Sequence, residues 1–130
     1  TLESLARFCD NLDLIVCLTM DSIVEEVKKI EVNGCFYQTG QCVFFGYTTD
    51  HMPIYRKVIE IVKARKKIFF ICNDVVLVDY VTQFQFYTVT LDNQKAVVYD
   101  FCKLKHYRPV SLNLSLQYGL CLSPVYSRPF

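Results

Sequence analysis

Tryptophan is absent from this 130-residue chain, histidine occurs twice, and glycine and proline four times each. Two histidines exclude a histidine-rich metal site. The four glycines (Gly34, Gly40, Gly46, Gly119) stand alone, so there is no glycine-rich loop to cradle phosphates by a Rossmann or P-loop route. No serine sits in a G-x-S-x-G elbow. No apolar run approaches the ~18 residues of a membrane-spanning helix; the longest near the start is Leu14-Ile-Val-Cys-Leu18. Neither sign of charge prevails: the formal net charge is +1, which excludes a uniformly basic nucleic-acid binder and an acidic tail.

What is present is a core-forming composition. Hydrophobic residues make up 52% and charged residues 21%, and the aromatics are ten Phe and nine Tyr. The length is that of one domain. Seven cysteines (Cys9, Cys17, Cys35, Cys42, Cys72, Cys102, Cys121) fall at long, irregular spacings with no CxxC pair. A disulfide scaffold is shorter and richer in loops. Most of these thiols lie in apolar runs such as Ile68-Phe-Phe-Ile-Cys72, where cysteine acts as a small buried hydrophobe. The expectation is a reduced, intracellular protein. No signal peptide is legible, and a chain that begins at Thr1 is expected to be part of something longer.

Residues 1–28 read as helical. Leu2, Leu5 and Phe8 keep a helical spacing behind Thr1, and Asp21-Ser22 caps a second run through Ile23, Val27 and Ile30. From residue 29 the pattern is β. Asn33-Gly34 between two apolar runs predicts a tight hairpin, because both turn residues must accept positive φ. Thr39-Gly40 predicts a second corner, 48–53 a polar loop, and Lys63-Ala-Arg-Lys-Lys67 a charged corner. Asn73-Asp74 and Asp92-Asn93 read as further turns, and residues 84–91 as an alternating strand. The last strand is expected over 116–122. Six or seven short strands every ~10 residues predict one mostly β (α+β) domain. Its expected form is a small curved β-barrel over 29–130, with a short helical extension, 1–28, packed on it.

The charge is split along the chain. Residues 1–31 carry seven acids and three bases, and residues 32–130 six acids and eleven bases. The bases gather as Arg56, Lys57, Lys63, Arg65, Lys66 and Lys67, and again as Lys103, Lys105 and Arg108 around His106. An anion-binding edge for nucleic-acid phosphates is one reading. Neutralising about four phosphates would give log affinity a slope on log salt of roughly −3.6. Solvated corners that keep strand edges apart are the other, and the acidic segment can also dock on the basic corner and cancel it.

Other chemistry has weaker signals. Cys102 and His106 lack a third, orienting group for nucleophilic catalysis. Cys35 and Cys42 with Cys102 and His106 are spaced too widely to define a zinc site. Tyr37, Tyr47, Tyr55, Tyr80, Tyr87 and Tyr99 are candidates to stack bases or cage a methylated lysine, set against a plain aromatic core. His51-Met52-Pro53 reads as a plain loop or the rim of such a site.

The order of motifs carries a resemblance. Val32-Asn-Gly-Cys-Phe-Tyr-Gln-Thr-Gly-Gln-Cys-Val-Phe-Phe-Gly46 is followed by Met52-Pro-Ile-Tyr-Arg-Lys-Val-Ile-Glu-Ile61, Lys67-Ile-Phe-Phe-Ile-Cys72, Phe84-Gln-Phe-Tyr-Thr-Val89 and Tyr107-Arg-Pro109. Over residues 28–126 this resembles a domain in the C-terminal part of vertebrate transposon-derived, zinc-finger-containing proteins. It is more loosely similar to the barrel core of bromo-adjacent-homology chromatin modules. The resemblance implies a nuclear, DNA- or chromatin-associated parent protein and assigns no functional residue.

The sequence therefore leads to a non-enzymatic interaction module without cofactor, metal or membrane partner. It is expected to associate with nucleic acid or chromatin through Arg56, Lys63, Arg65, Lys66, Lys67, Lys103, Lys105 and Arg108. The alternative is protein–protein or self-association, to a homo-oligomer, without nucleic acid.

Overall fold

The computed structural model describes residues 24–64, 67–103 and 109–123. Nine strands occur there: β1 (Val24–Val27), β2 (Lys29–Val32), β3 (Cys35–Gln38), β4 (Cys42–Tyr47), β5 (Pro53–Ala64), β6 (Lys67–Val81), β7 (Phe86–Asp100), β8 (Leu112–Ser115) and β9 (Gly119–Leu122). A single 3-10 turn, Phe101–Lys103, follows β7, and the buried Asp100 carboxylate caps it by accepting the Cys102 N–H at 3.0 Å. Seven strands form one sheet in the order β1-β5-β6-β7-β9-β8, with β4 also on β5, while β2 and β3 form a separate hairpin.

The Asn33-Gly34 turn forms as predicted. Its φ angles of 52° and 81° place both residues in the left-handed region, and Val32 pairs with Cys35 across it. The Thr39-Gly40 corner also forms, with Gly40 at φ 94°. From there the chain enters β4, whose register on β5 slips between Phe44 and Gly46.

Residues 24–28 are not helical. Val24–Val27 is a strand that pairs Val24 with Ala64 and Val27 with Ile61. The valines of Val-Glu-Glu-Val satisfy a helical spacing as sequence. The C-terminal half of β5 nevertheless offers an edge whose hydrogen bonds only a strand can fill, and tertiary pairing overrides the local pattern. The expected helix nearer the start falls on residues 1–23, outside the described residues.

The long strands hold the second correction. Asn73-Asp74 and Asp92-Asn93 are not turns, because β6 and β7 each run through fifteen residues. The two turn signals lie at the same level of one long hairpin. Cys72 pairs with Val97 and Asp74 with Asp92, so Asn73 stands opposite four residues, 93–96. Turn-forming residues here make a paired bulge in place of a reversal. The reversal comes at residues 82–85, so Phe84 belongs to the turn and β7 begins at Phe86. Near the C-terminus, β8 and β9 replace the one strand expected over 116–122.

Two apolar clusters form. Val43, Val58, Ile61, Phe70 and Cys72 pack with Tyr37 of the β2–β3 hairpin and with Phe101. Cys42, Tyr55, Val75, Val89, Val110 and Leu122 make the other. Neighbours Cys42 and Val43 serve different clusters, as strand alternation requires of two faces of one sheet. The sheet is not closed. One isolated bridge, in which Cys42 and Val110 exchange backbone hydrogen bonds of 2.7 Å, links β4 to the segment before β8.

Candidate interaction surfaces

Arg56 heads the predicted basic surface, and the fold uses it internally. β5 and β6 pair Arg56 with Asp74, which puts both side chains on one face. The Arg56 Nε–H donates to Asp74 Oδ1 at 2.9 Å. Its guanidinium carbon lies 4.5 Å from the ring centre of Phe45 and 5.1 Å from that of Tyr99. Phe45 occupies the slip in the β4 register, ahead of Gly46 at φ 118°. The Phe45 and Tyr99 rings meet at 4.7 Å and 64°. A planar cation laid against a pair of touching rings is held by quadrupole attraction as well as by its ion pair. Replacing Arg56 by alanine is therefore expected to cost about 1–2 kcal/mol in urea unfolding. Arg56→Lys should recover less than half of that, because an ammonium lacks the planar face that packs on the rings and the fixed fork that meets Asp74. A nucleic-acid contact in place of this clamp would leave the urea midpoint of both variants where it is in the parent.

The other predicted bases divide. Lys63 is exposed but sits directly across from Glu25 of β1, so part of the acidic segment lies against the basic corner. Close by, burial and the neighbouring Glu26 carboxylate raise Glu60 above the usual carboxylate range, with Lys28 opposing. Lys67 opens β6, is exposed, and pairs with Ala64. The backbone of Lys103 ends the 3-10 turn. Arg65, Lys66, Lys105, His106 and Arg108 lie outside the described residues, so the two basic clusters are not brought together among those described.

The tyrosines make no shared cage. Tyr37 and Tyr55 are buried in different clusters, Tyr80 and Tyr87 pair with each other at 4.8 Å, and Tyr47 meets Phe44 at 5.1 Å. Tyr99 flanks the chain's own Arg56. Cys42 is a buried free thiol, Cys35 half-buried and Cys102 exposed. Among the described residues no three metal-ligating side chains converge.

A surface that charge and cysteine counting do not reveal lies at the other end of the molecule. β6 spans fourteen steps from Lys67 to Val81, roughly 45 Å at ~3.3 Å per residue. At its far end Phe84 is exposed and stacks on Phe86 at 6.1 Å. Tyr118, from the β8–β9 turn, meets Phe86 edge-on at 5.3 Å. Val78 and Tyr80 on β6, and Leu114 and Leu116 on the β8–β9 hairpin, are exposed as well. The hairpin's sequence signal is the stretch from Pro109 to Pro124, which contains no charged residue and alternates Leu112, Leu114 and Leu116 with Asn113 and Ser115. No family model, curated protein or solved structure matches this chain.

Proposed function

We propose that this chain is a non-enzymatic protein-interaction module that docks through the exposed apolar residues of the β6–β7 turn and the β8–β9 hairpin. The supporting observation is the exposure of Leu114 and Leu116 in a segment without charge, with the exposed Phe84 linked to the same hairpin through Phe86 and Tyr118. Scattered apolar residues are ordinary on a surface, but a contiguous group marks a contact site. In this reading the sheet is an incompletely closed barrel. The Cys42–Val110 bridge draws its two sides together and leaves β8 as a rim.

Lys63 and Lys67, exposed beside one corner, favour a second reading in which that corner holds nucleic-acid phosphates. Arg56 is committed elsewhere and drops out of it. A photoreactive benzoylphenylalanine placed at position 116, and separately at position 67 of the whole chain, distinguishes the two. Protein adducts at 116 with none at 67 are the expected result. Nucleic-acid adducts at 67 with nothing at 116 would transfer the assignment to the basic corner, and silence at both positions would remove both readings.

A further inference from the structure

We propose that the outer edge of β8 is a self-association site, where a second copy of this chain adds its own β8 antiparallel and continues the sheet across a two-fold axis. The inference rests on the interaction-module reading and names the partner of that surface.

Strand edges are usually guarded by charge, proline or a bulge. Among the described strands the sheet path ends at β1 and at β8, while β4, off the path on β5, is bridged to Val110 just before β8, so the unpaired edge of β8 is its stretch from Leu112 to Ser115. The β1 edge is guarded, since Glu25 and Glu26 stand side by side in it and two copies would repel. The β8 edge has none of these devices. No charge or proline occurs over residues 110–123, and the β8–β9 register runs unbroken from Leu112↔Leu122 to Ser115↔Gly119. An identical neutral strand meets it without repulsion.

The apolar cluster also continues out along β8. Leu122 is fully buried, and Leu112, its cross-strand partner, is half-buried against the same cluster. Leu114 pairs with Leu120 on that same face yet is 82% exposed. Leu116, in the turn that follows the strand, is fully exposed. The row is thus built for a core but runs past its cover. Pairing residues across the two-fold about Leu114 sets Leu114 of one copy opposite Leu114 of the other, and Asn113 opposite Ser115. Centring on Asn113 sets Leu112 opposite Leu114. Either register keeps Leu112 and Leu114 on the core-facing side, whereas a one-residue slip sets leucine against asparagine and serine. The complement this edge requires is an uncharged strand with leucine at alternate positions, and the chain itself carries one. A two-fold contact uses the same patch on both copies, which such a strand permits.

A short strand pair buries less than the ~800 Å² per partner of a standard interface, so the contact is expected to be weak and reversible. Sedimentation equilibrium of the whole chain, from low micromolar towards millimolar concentration, should show a monomer–dimer equilibrium. Leu114→Lys should weaken it at least ~10-fold, since it brings two ammonium groups together at the axis, and should leave the melting temperature unchanged. Leu114→Asn should weaken it less. Amide exchange in β8 should slow as concentration rises. A dimer indifferent to Leu114→Lys, or association beyond a dimer, would overturn the assignment. A strict monomer whose position-116 crosslinker still captures a different protein would refute self-pairing and leave the module reading intact. A strict monomer that captures nothing would end both.

Discussion

Phe70→Ala is expected to remove about 3–5 kcal/mol of stability, most of what a domain of this size has. The ring is fully buried. It lies 5.5 Å from Tyr37 and 5.1 Å from Phe101, so it joins the central strands to both the β2–β3 hairpin and the 3-10 turn. Truncation removes the transfer term and leaves a cavity that three separate elements would have to close. The hairpin, which is paired only within itself, should loosen first and lose amide-exchange protection around Asn33-Gly34. Phe86→Ala is the contrast. Its ring packs between two turn residues, Phe84 and Tyr118, at a solvent-facing end. That loss should stay near the ~1 kcal/mol of an aromatic pair. Urea unfolding of both variants measures the difference, and equal losses would contradict the placement of the core.

Alkaline pH should unfold the chain as its buried thiols are forced to ionise. Burial pushes the thiols of Cys42 and Cys72 up to about 12 from an ordinary value of 9. Arg56 pulls the Cys72 thiol partly back, and Lys57 the Cys42 thiol. Burial and the neighbouring Cys35 thiol raise the Tyr37 phenol as well. All three groups therefore hold their protons in the folded state at a pH where the unfolded chain has released them. Such a shift contributes stability below the unfolded value and loses it as pH rises towards the folded one. The window opens near pH 9 and closes near 12 for the thiols. By pH 11, two units at about 1.4 kcal/mol each make roughly 3 kcal/mol per thiol. Two thiols together approach the whole stability of a small domain. The expected result is a cooperative loss of near-ultraviolet circular dichroism around pH 11. The double variant Cys42→Ala, Cys72→Ala, although weaker at neutral pH, should show a much flatter decline of unfolding free energy between pH 9 and 11. An unchanged slope would mean that these thiols are not held away from water.

Local chemistry made part of this architecture legible. Asn33-Gly34 was decisive because few residues accept positive φ twice in succession, and the basic corner between β5 and β6 was marked by its own solubility. The long hairpin was not legible, since Asn73-Asp74 and Asp92-Asn93 read identically whether a chain reverses or bulges. Only the pairing partner, some twenty residues away, decides between them. The same holds for Val24–Val27, whose spacing fits a helix until the free edge of β5 is known. Arg56 counted as a surface cation because Asp74, Phe45 and Tyr99 converge on it from three other strands. The apolar end escaped notice because exposure of Leu114 and Leu116 depends on where the sheet stops, and alternation alone looks the same for a covered strand as for a rim.

The paired bulge gives the fold a reserve of chain length. On either side of it the β6–β7 ladder is pinned by its own partners, Cys72 to Val97 above and Asp74 to Asp92 below, while residues 93–96 stand opposite the single residue Asn73. Shortening or lengthening that loop-out moves no ladder residue to the wrong face, so a deletion or insertion there should be absorbed. The same edit within an unbroken stretch of the ladder, such as Phe69 to Cys72, would throw a row of apolar side chains into water. The middle of the longest hairpin, and not only its tip, is where this protein can change size and keep its shape.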